Sequence, residues 1–305
     1  MKLFLTGGTG FIGSGVLREL LAKGHEVEAL ARSDASEKAL ADAGASVRRG
    51  DLTDLDALEA AAAKADGALH LAFGHDFSDF ERMGRNDLNA IEALARGLAA
   101  AGPGKVLVAA SGTALAEPGA RATEDAPPSP RSPAAVRLAS ERAVVAAAGQ
   151  GVRSAVLRLA PCVHGPGDRG GFVPMMMRLA RQSGVSAYLG DGENVWPAVY
   201  RDDAARLFAL AAEKLADGSV PPGSRLHAVA EEGVPVRQLA AAIAEQLGLG
   251  APQSRESEHF GPMALFAGID NPAGSEKTRA WTGWRPTGPS LLEDVRGAAY
   301  ADAGT

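Results

Sequence analysis

The chain has 305 residues, a formal net charge of −6 and a pI of about 5.6. That length is enough for one large or two modest domains. The acidic balance, with no basic run, argues against nucleic-acid binding. Cys162 is the single cysteine, which excludes an internal disulfide and favours a cytoplasmic protein. No apolar run reaches about 18 residues, no signal peptide begins the chain and the histidines lack metal-ligand spacing, so neither a membrane nor a metal partner is expected.

The first elements form a strand, a glycine-rich turn and a helix. Apolar residues 3–5 precede Thr-Gly-Gly-Thr-Gly-Phe-Ile-Gly at 6–13, and a helical pattern follows at 16–21. This order places a pyrophosphate on a helix N-terminus. The three spaced glycines permit a tight turn, close approach of the phosphates and close helix–strand packing. The alternative is a glycine turn without a ligand. The predicted cofactor residues of this turn are Gly7, Thr9, Gly10, Phe11, Ile12 and Gly13.

The second predicted strand, 25–33, indicates which dinucleotide is bound. NAD requires an acidic residue at its end, to hold the ribose 2′-hydroxyl. Here the strand ends in Arg32 and Ser33. A cation and a hydroxyl suit a 2′-phosphate, so the sequence favours NADP over NAD. The alternative is that Arg32 is a solvated loop cation.

The ends of the next two strands supply further candidate cofactor residues. Strand three, 47–52, ends in Asp51 and Leu52, which could bracket the adenine. An equally good interpretation makes Asp51 a turn or N-cap residue before the next helix. Strand four, 68–73, ends in Ala72 and Phe73, and both are assigned to the cofactor site.

Alternation of strands and helices continues to about residue 160. It predicts a doubly wound parallel α/β sheet, a Rossmann fold. Beyond residue 165, glycine-rich turns interrupt this alternation of strands and helices. We expect a Rossmann core over 1–165, to which 196–229 returns, and a smaller α+β substrate lobe formed by 166–195 and 230–305. The remaining predicted elements are helices at 88–101, 134–148, 172–182, 202–215 and 235–247, strands at 105–110 and 154–159, and a loop at 117–133.

Several segments resemble the extended-type short-chain dehydrogenases/reductases, the NAD(P)-dependent epimerase/dehydratase-like group. The resemblance covers nearly the whole chain. It implies the fold predicted above and a nicotinamide carboxamide walled by Pro161 and Val163. The matching segments are the glycine turn, the pair Asp51-Leu52, the sequence 157–168 after strand six, Val-Tyr-Arg-Asp-Asp-Ala-Ala at 199–205 and Trp-Thr-Gly-Trp-Arg-Pro at 281–286.

The chain departs from that family at its proton relay. The family uses a Ser or Thr after strand five and a Tyr-x-x-x-Lys pair on the next helix. Ser111 is the counterpart of the hydroxyl residue and could hydrogen-bond a substrate carbonyl, with Thr113 as the second choice. Pro133 occupies the Tyr place and Arg137 the Lys place. Arg137 could hold the ribose, but its pKa is too high for it to donate a proton. Its alternative role is that of a surface cation.

Three other groups could replace the missing acid. His75 follows strand four, beside Asp76, at the sheet edge where ligands bind. His164 replaces the Tyr of the segment after strand six and should lie near the nicotinamide or at the lobe boundary. Tyr200 begins a later helix. Each has a structural alternative as a capping, packing or buried residue.

The sequence thus predicts an NADPH-dependent reductase of a small carbonyl, enone or imine compound. A non-catalytic NADP-binding sensor would also keep the glycine motif and lose the acid. A sugar-nucleotide epimerase or dehydratase is disfavoured, because reversible sugar oxidation relies on the absent Tyr-Lys pair. A small-molecule substrate is the expected partner, and a homodimer is possible through the alanine-rich helices near 86–101 and 134–148.

Overall fold

The computed structural model describes residues 1–74 and 79–301. Its strands are β1 (Lys2–Thr6), β2 (Glu26–Ala31), β3 (Ser46–Arg49), β4 (Gly67–His70), β5 (Val106–Gly112), β6 (Arg153–Leu159), β7 (Cys162–His164), β8 (Ala187–Leu189), β9 (Val195–Tyr200), β10 (Ser224–Ala228), β11 (Glu231–Pro235) and β12 (Gln253–Arg255). Its α-helices are α1 (Phe11–Ala22), α2 (Asp34–Asp42), α3 (Leu55–Ala62), α4 (Phe80–Ala100), α5 (Leu138–Ala146), α6 (Phe172–Ser183), α7 (Arg201–Ala216), α8 (Val236–Leu247), α9 (Ala264–Ala267), α10 (Glu276–Thr282) and α11 (Leu291–Arg296). None of these helices is both long and apolar enough to cross a membrane.

The main sheet confirms the predicted doubly wound Rossmann fold. Seven strands lie in the order β10-β6-β5-β4-β1-β2-β3, and every neighbouring pair is parallel. Strand order therefore reverses between β1 and β4, and ligands of such sheets bind outside the carboxyl ends of the strands at this point. The glycine turn leaves β1 at that place.

Burial on both faces explains why the central strands are almost wholly apolar. Leu3 and Leu5 of β1 and Leu69 of β4 are completely buried. Helices cover both faces of a parallel sheet, so its central strands have no solvent face and show no polar alternation. The sequence of β4 departs from this rule at His70, which is also completely buried.

Several elements differ from their predicted bounds. Strands two and three end earlier, at Ala31 and Arg49, and the helix predicted at 88–101 begins at Phe80. Two further differences bear on the site. The sequence predicts that strand four reaches residue 73, but β4 ends at His70, which is paired with Thr6, the last residue of β1. Beyond it, Leu71 N donates to the Thr6 carbonyl at 3.2 Å and Ala72 N to Thr6 Oγ1 at 3.3 Å. The predicted helix 134–148 begins as a 3-10 turn, Ala135–Arg137, before α5. Both changes lie at the carboxyl edge of the sheet.

A second apolar cluster lies outside the main sheet. It joins α6, α8 and α11 to the three-stranded sheet β11-β9-β7 and is built around Met177, Trp196 and Ile243. Strand β10 pairs with β6 in the main sheet. Trp284, from the last part of the chain, belongs to the main cluster and donates from Nε1 to the carbonyl of Asp203 at 2.9 Å. Part of the 230–305 segment, predicted as substrate lobe, therefore packs against the main sheet and its helices.

Candidate active site

The glycine turn between β1 and α1 has no room for side chains at two of its glycines. Gly7 has a φ of 77°, and a Cβ there would lie 2.7 Å from the backbone nitrogen of Ala72. A Cβ on Gly13 would overlap the carbonyl oxygen of Gly7. Gly10 closes the turn by donating its N–H to that same carbonyl at 2.9 Å. The result is a concave backbone surface at the N-terminus of α1, and this surface fits the pyrophosphate of a dinucleotide.

A cleft of about 460 Å³ opens from this turn. Its far side is the loop between β7 and α6. Arg201 contacts both sides of the cleft. Its guanidinium lies 5.5 Å from the centre of the Phe11 ring on one side, and it donates to the carbonyl of Pro166 at 3.0 Å on the other. We call this space the cofactor cleft; it is lined by Thr9, Gly10, Phe11, Ser14, Gly167, Arg169, Gly170 and Arg201. Two arginines and a helix N-terminus make it suitable for an anion.

The predicted 2′-phosphate residues lie at the end of β2. Arg32 is exposed, and in the described ranges its guanidinium forms no ion pair. The hydroxyl of Ser33 caps α2 by accepting from the Ser36 amide at 3.2 Å. Arg49 pairs there with Asp34 at 3.0 Å. Arg32 is thus available to a ligand, whereas the Ser33 hydroxyl is engaged in capping α2.

The predicted adenine residues lie after β3. Asp51 accepts from the amide and the hydroxyl of Thr53 at 3.0 and 3.1 Å, so it forms the turn of the alternative interpretation. Its side chain is nevertheless exposed, and Leu52 beside it is half-buried against the core. The adenine assignment stays a prediction.

Arg137 is fixed at the carboxyl edge of β4 and β5. Its side chain is 16% exposed, and its guanidinium donates to the carbonyl of Ala110 at 2.7 Å and to the carboxylate of Asp87 at 3.3 and 3.4 Å. It also lies 4.3 Å from the centre of the Phe73 ring. The Nε of Arg137 is buried and has no hydrogen-bond partner among the described residues. Arg137 is therefore no surface cation, and only a small part of its side chain is exposed at the sheet edge.

A buried polar chain, missed by the sequence analysis, connects Arg137 to the glycine turn. Thr6 Oγ1 lies 2.8 Å from His70 Nδ1, and His70 Nε2 lies 3.2 Å from Asp87 Oδ1. Burial raises the pKa of the Asp87 carboxyl, but Arg137 and His70 outweigh it and hold that pKa below its usual value. An ionised Asp87 keeps Arg137 in place. A histidine inside an apolar strand was the one sequence signal of this arrangement.

The hydroxyls of Ser111 and Thr113 are hydrogen-bonded to other side chains of the protein. The Ser111 hydroxyl, on a residue 5% exposed, donates to buried Glu141 at 3.2 Å. The Thr113 hydroxyl is fully buried and donates to Asn271 at 2.8 Å. The Ser111 hydroxyl is thus engaged by Glu141, beside Arg137 in the space between β5, β6 and the helices α4 and α5, and its hydrogen bond to a substrate carbonyl stays a prediction.

Of the two candidate histidines, His164 lies within the described residues. His164 is completely buried, its Nδ1 lies 2.8 Å from Asp294, and its Nε2 has no partner among the described residues. Its ring packs edge-on against Tyr200, with centroids 5.8 Å apart. This burial favours the packing alternative, and a catalytic role of His164 stays a prediction. His75 lies outside the described residues.

The remaining predicted cofactor residues surround the same sheet edge. Ala72 and Phe73 are half-buried beside the glycine turn and Arg137. Pro161 and Val163 are half-buried where the chain passes from β6 to β7, and Val163 is opposite Val199 of β9. Their proposed contacts with adenine, ribose or nicotinamide remain predictions.

Comparison with known proteins decides the family. The model of the NAD dependent epimerase/dehydratase family matches residues 3–222. The chain belongs to this family. Its members are NAD(P)-dependent oxidoreductases, epimerases and dehydratases, so membership supports an enzyme.

Relatives of this family member include uncharacterized and named proteins. An uncharacterized protein of Schizosaccharomyces pombe is 41% identical over 98% of this chain and 100% of its own length. The 2-alkyl-3-oxoalkanoate reductase of Stenotrophomonas maltophilia is 30% identical, over 85% of this chain and 79% of the enzyme. Among solved structures, the Thermus thermophilus UDP-glucose 4-epimerase in complex with NAD has a TM-score of 0.75 at 25% identity and covers 99% of this chain and 98% of that one.

Proposed function

We propose that this member of the epimerase/dehydratase family is an NADPH-dependent reductase of a small carbonyl, enone or imine compound. The observation that carries the proposal is the guanidinium of Arg137, which Asp87 and the carbonyl of Ala110 hold at the carboxyl edge of the sheet with 16% of its side chain exposed. When bound, NADPH would supply the hydride. Arg137 would hold the ribose or the oxygen on which negative charge develops. Because arginine does not release a proton near neutral pH, water or His75 would have to supply it.

One named relative and the residues at the family's Tyr and Lys places support reduction over sugar chemistry. The Stenotrophomonas maltophilia relative is named as a reductase of a 3-oxo acid, and its substrate therefore carries a ketone. The structural neighbours include sugar-nucleotide epimerases. In this chain Pro133 and Arg137 stand at the family's Tyr and Lys places. Proline cannot act as an acid–base group, so repeated oxidation and reduction of a sugar lacks its usual catalyst.

Arg137→Met should lower kcat/KM for NADPH-dependent reduction about 100-fold, because a buried donor to a developing negative charge is lost. Arg137→Lys should restore part of the rate, since it keeps the cation near Asp87. The measurement is NADPH absorbance at 340 nm against a panel of ketones, aldehydes, enones and imines. Arg142→Met, at an exposed position of α5, is the matched control. Full turnover by a folded Arg137→Met variant would contradict the role of Arg137.

The same panel separates the reductase from a non-catalytic NADP-binding sensor. A sensor binds NADPH and oxidises it with no compound of the panel. Loss of the usual acid is the observation that favours this second candidate. Substrate-dependent NADPH consumption would reject it.

Arg32→Ala should weaken NADPH binding about tenfold and leave NADH binding nearly unchanged, because only NADPH carries a 2′-phosphate. Fluorescence titration with the two reduced cofactors measures this. Lys38→Ala is a suitable control, since Lys38 is an exposed cation of α2 that pairs with Asp42. Equal losses for both cofactors would reject the 2′-phosphate assignment.

A further inference from the structure

We infer that Arg169 binds the pyrophosphate of the dinucleotide cofactor from the side of the cofactor cleft opposite the glycine turn. The inference rests on the dinucleotide binding of the proposed function and not on reductase activity. It adds to the site a cation from the loop between β7 and α6, more than 150 residues beyond the glycine motif in sequence.

The cleft brings this loop close to the backbone surface that fits a pyrophosphate. Gly167, Arg169 and Gly170 line it from one side, and the turn with the start of α1 lines it from the other. A pyrophosphate presents negative oxygens in both directions. The amide groups of the turn can bind only those that face α1. A guanidinium from the loop would bind those on the other side by paired, charge-assisted hydrogen bonds.

The backbone of the loop is held independently of the Arg169 side chain. Buried Asp168 accepts from the Tyr300 hydroxyl at 2.9 Å and from the Gly171 amide at 2.9 Å. On the other flank, the carbonyl of Pro166 accepts from Arg201 at 3.0 Å. The loop is therefore anchored on both sides of Arg169, and removal of the Arg169 guanidinium should leave its path unchanged.

Of the two arginines that line the cleft, Arg169 is the one whose charge is available. The guanidinium of Arg201 is engaged by Asp202 at 2.8 Å and by the carbonyl of Pro166. Arg169 is exposed, and its backbone carbonyl accepts from Arg178 at 3.1 Å. Within the described residues, no carboxylate lies within ion-pairing distance of the Arg169 guanidinium. An uncompensated guanidinium on the wall of a cleft is suited to an anionic ligand.

Substitution of Arg169 should affect cofactor affinity differently from substitution of Arg32. The pyrophosphate is common to NADPH and NADH, whereas the 2′-phosphate is not. Arg169→Ala should therefore weaken both cofactors alike, by about tenfold, the effect of losing one charge-assisted contact. Arg169→Lys should recover part of the affinity as a point charge.

The test is fluorescence titration of the full chain with NADPH and NADH, and competition of bound NADPH by ADP-ribose and by adenosine. The variants are Arg169→Ala, Arg169→Lys and the control Arg142→Ala, each with its thermal unfolding midpoint. We expect parallel losses for NADPH, NADH and ADP-ribose, with adenosine and the midpoint unchanged. Unchanged cofactor affinity in Arg169→Ala would overturn the inference. So would a loss of affinity confined to UDP or dTDP, added as further competitors, because it would assign Arg169 to the diphosphate of a nucleotide sugar. Absence of turnover with every carbonyl compound would defeat the reductase proposal while leaving this binding result intact.

Discussion

Gly13→Ala is expected to abolish measurable binding of NADPH and NADH, with a loss of affinity of at least about 100-fold. The added methyl would overlap the Gly7 carbonyl oxygen and approach its carbonyl carbon to 2.8 Å. Neither atom is a flexible side chain that can move aside. The first turn of α1 would have to move away from the glycine turn, and the backbone surface for the pyrophosphate would be lost. Fluorescence titration and thermal unfolding measure the two consequences.

Gly149→Ala is the matched control for this variant. Gly149 lies at an exposed position after α5, and a Cβ there meets no heavy atom within 4 Å. We expect unchanged cofactor affinity. Normal NADPH binding by Gly13→Ala would show that the turn does not hold the cofactor through the close approach described above.

Glu141→Gln should lower the free energy of unfolding by about 3 to 5 kcal/mol, because it removes one partner of a buried ion pair. Arg158, completely buried, donates to the two oxygens of Glu141 at 2.6 and 3.0 Å. Arg225 donates to the same carboxylate at 2.7 Å. The amide of glutamine cannot balance the charge of Arg158. Urea unfolding followed by circular dichroism measures the change.

The effect of this substitution should depend on pH. Burial raises the pKa of Glu141, but the hydrogen bonds and charges of Arg158 and Arg225 outweigh it and hold that pKa below the usual 4.5. A carboxyl whose pKa is lower in the folded state stabilises the protein above its unfolded pKa and loses this contribution as the pH falls through its folded pKa. The difference between wild type and Glu141→Gln should be constant near neutral pH and shrink below about pH 4.5.

The surface ion pair of Glu59 and Arg96 is the control for the buried pair of Glu141 and Arg158. Glu59→Gln removes the partner of Arg96, where both side chains are about half exposed. Its expected cost is below about 1 kcal/mol. Equal costs for the two substitutions would contradict the view that burial of Arg158 makes Glu141 indispensable to the fold.

The fold and the glycine turn follow from local sequence. The glycine spacing at 6–13 requires only neighbouring residues to create the turn, and the apolar strands specify a sheet covered on both faces. Periodicity therefore predicted the order of the main sheet's elements. The assignment of Arg137 to the family's Lys place also began from the sequence, through the family resemblance.

Tertiary structure alone decided the partners of the polar side chains. Ser111 meets Glu141 30 residues away, His164 meets Asp294 130 residues away, and Thr113 meets Asn271 158 residues away. A hydroxyl or an imidazole has the same chemistry in the sequence whether it faces a substrate or a buried carboxylate. Its role depends on which distant segment folds over it, and neither residue type nor local spacing contains that information. For the same reason the contribution of Asp87 to Arg137, and of the 165–171 loop to the cofactor cleft, emerged only when the chain was folded.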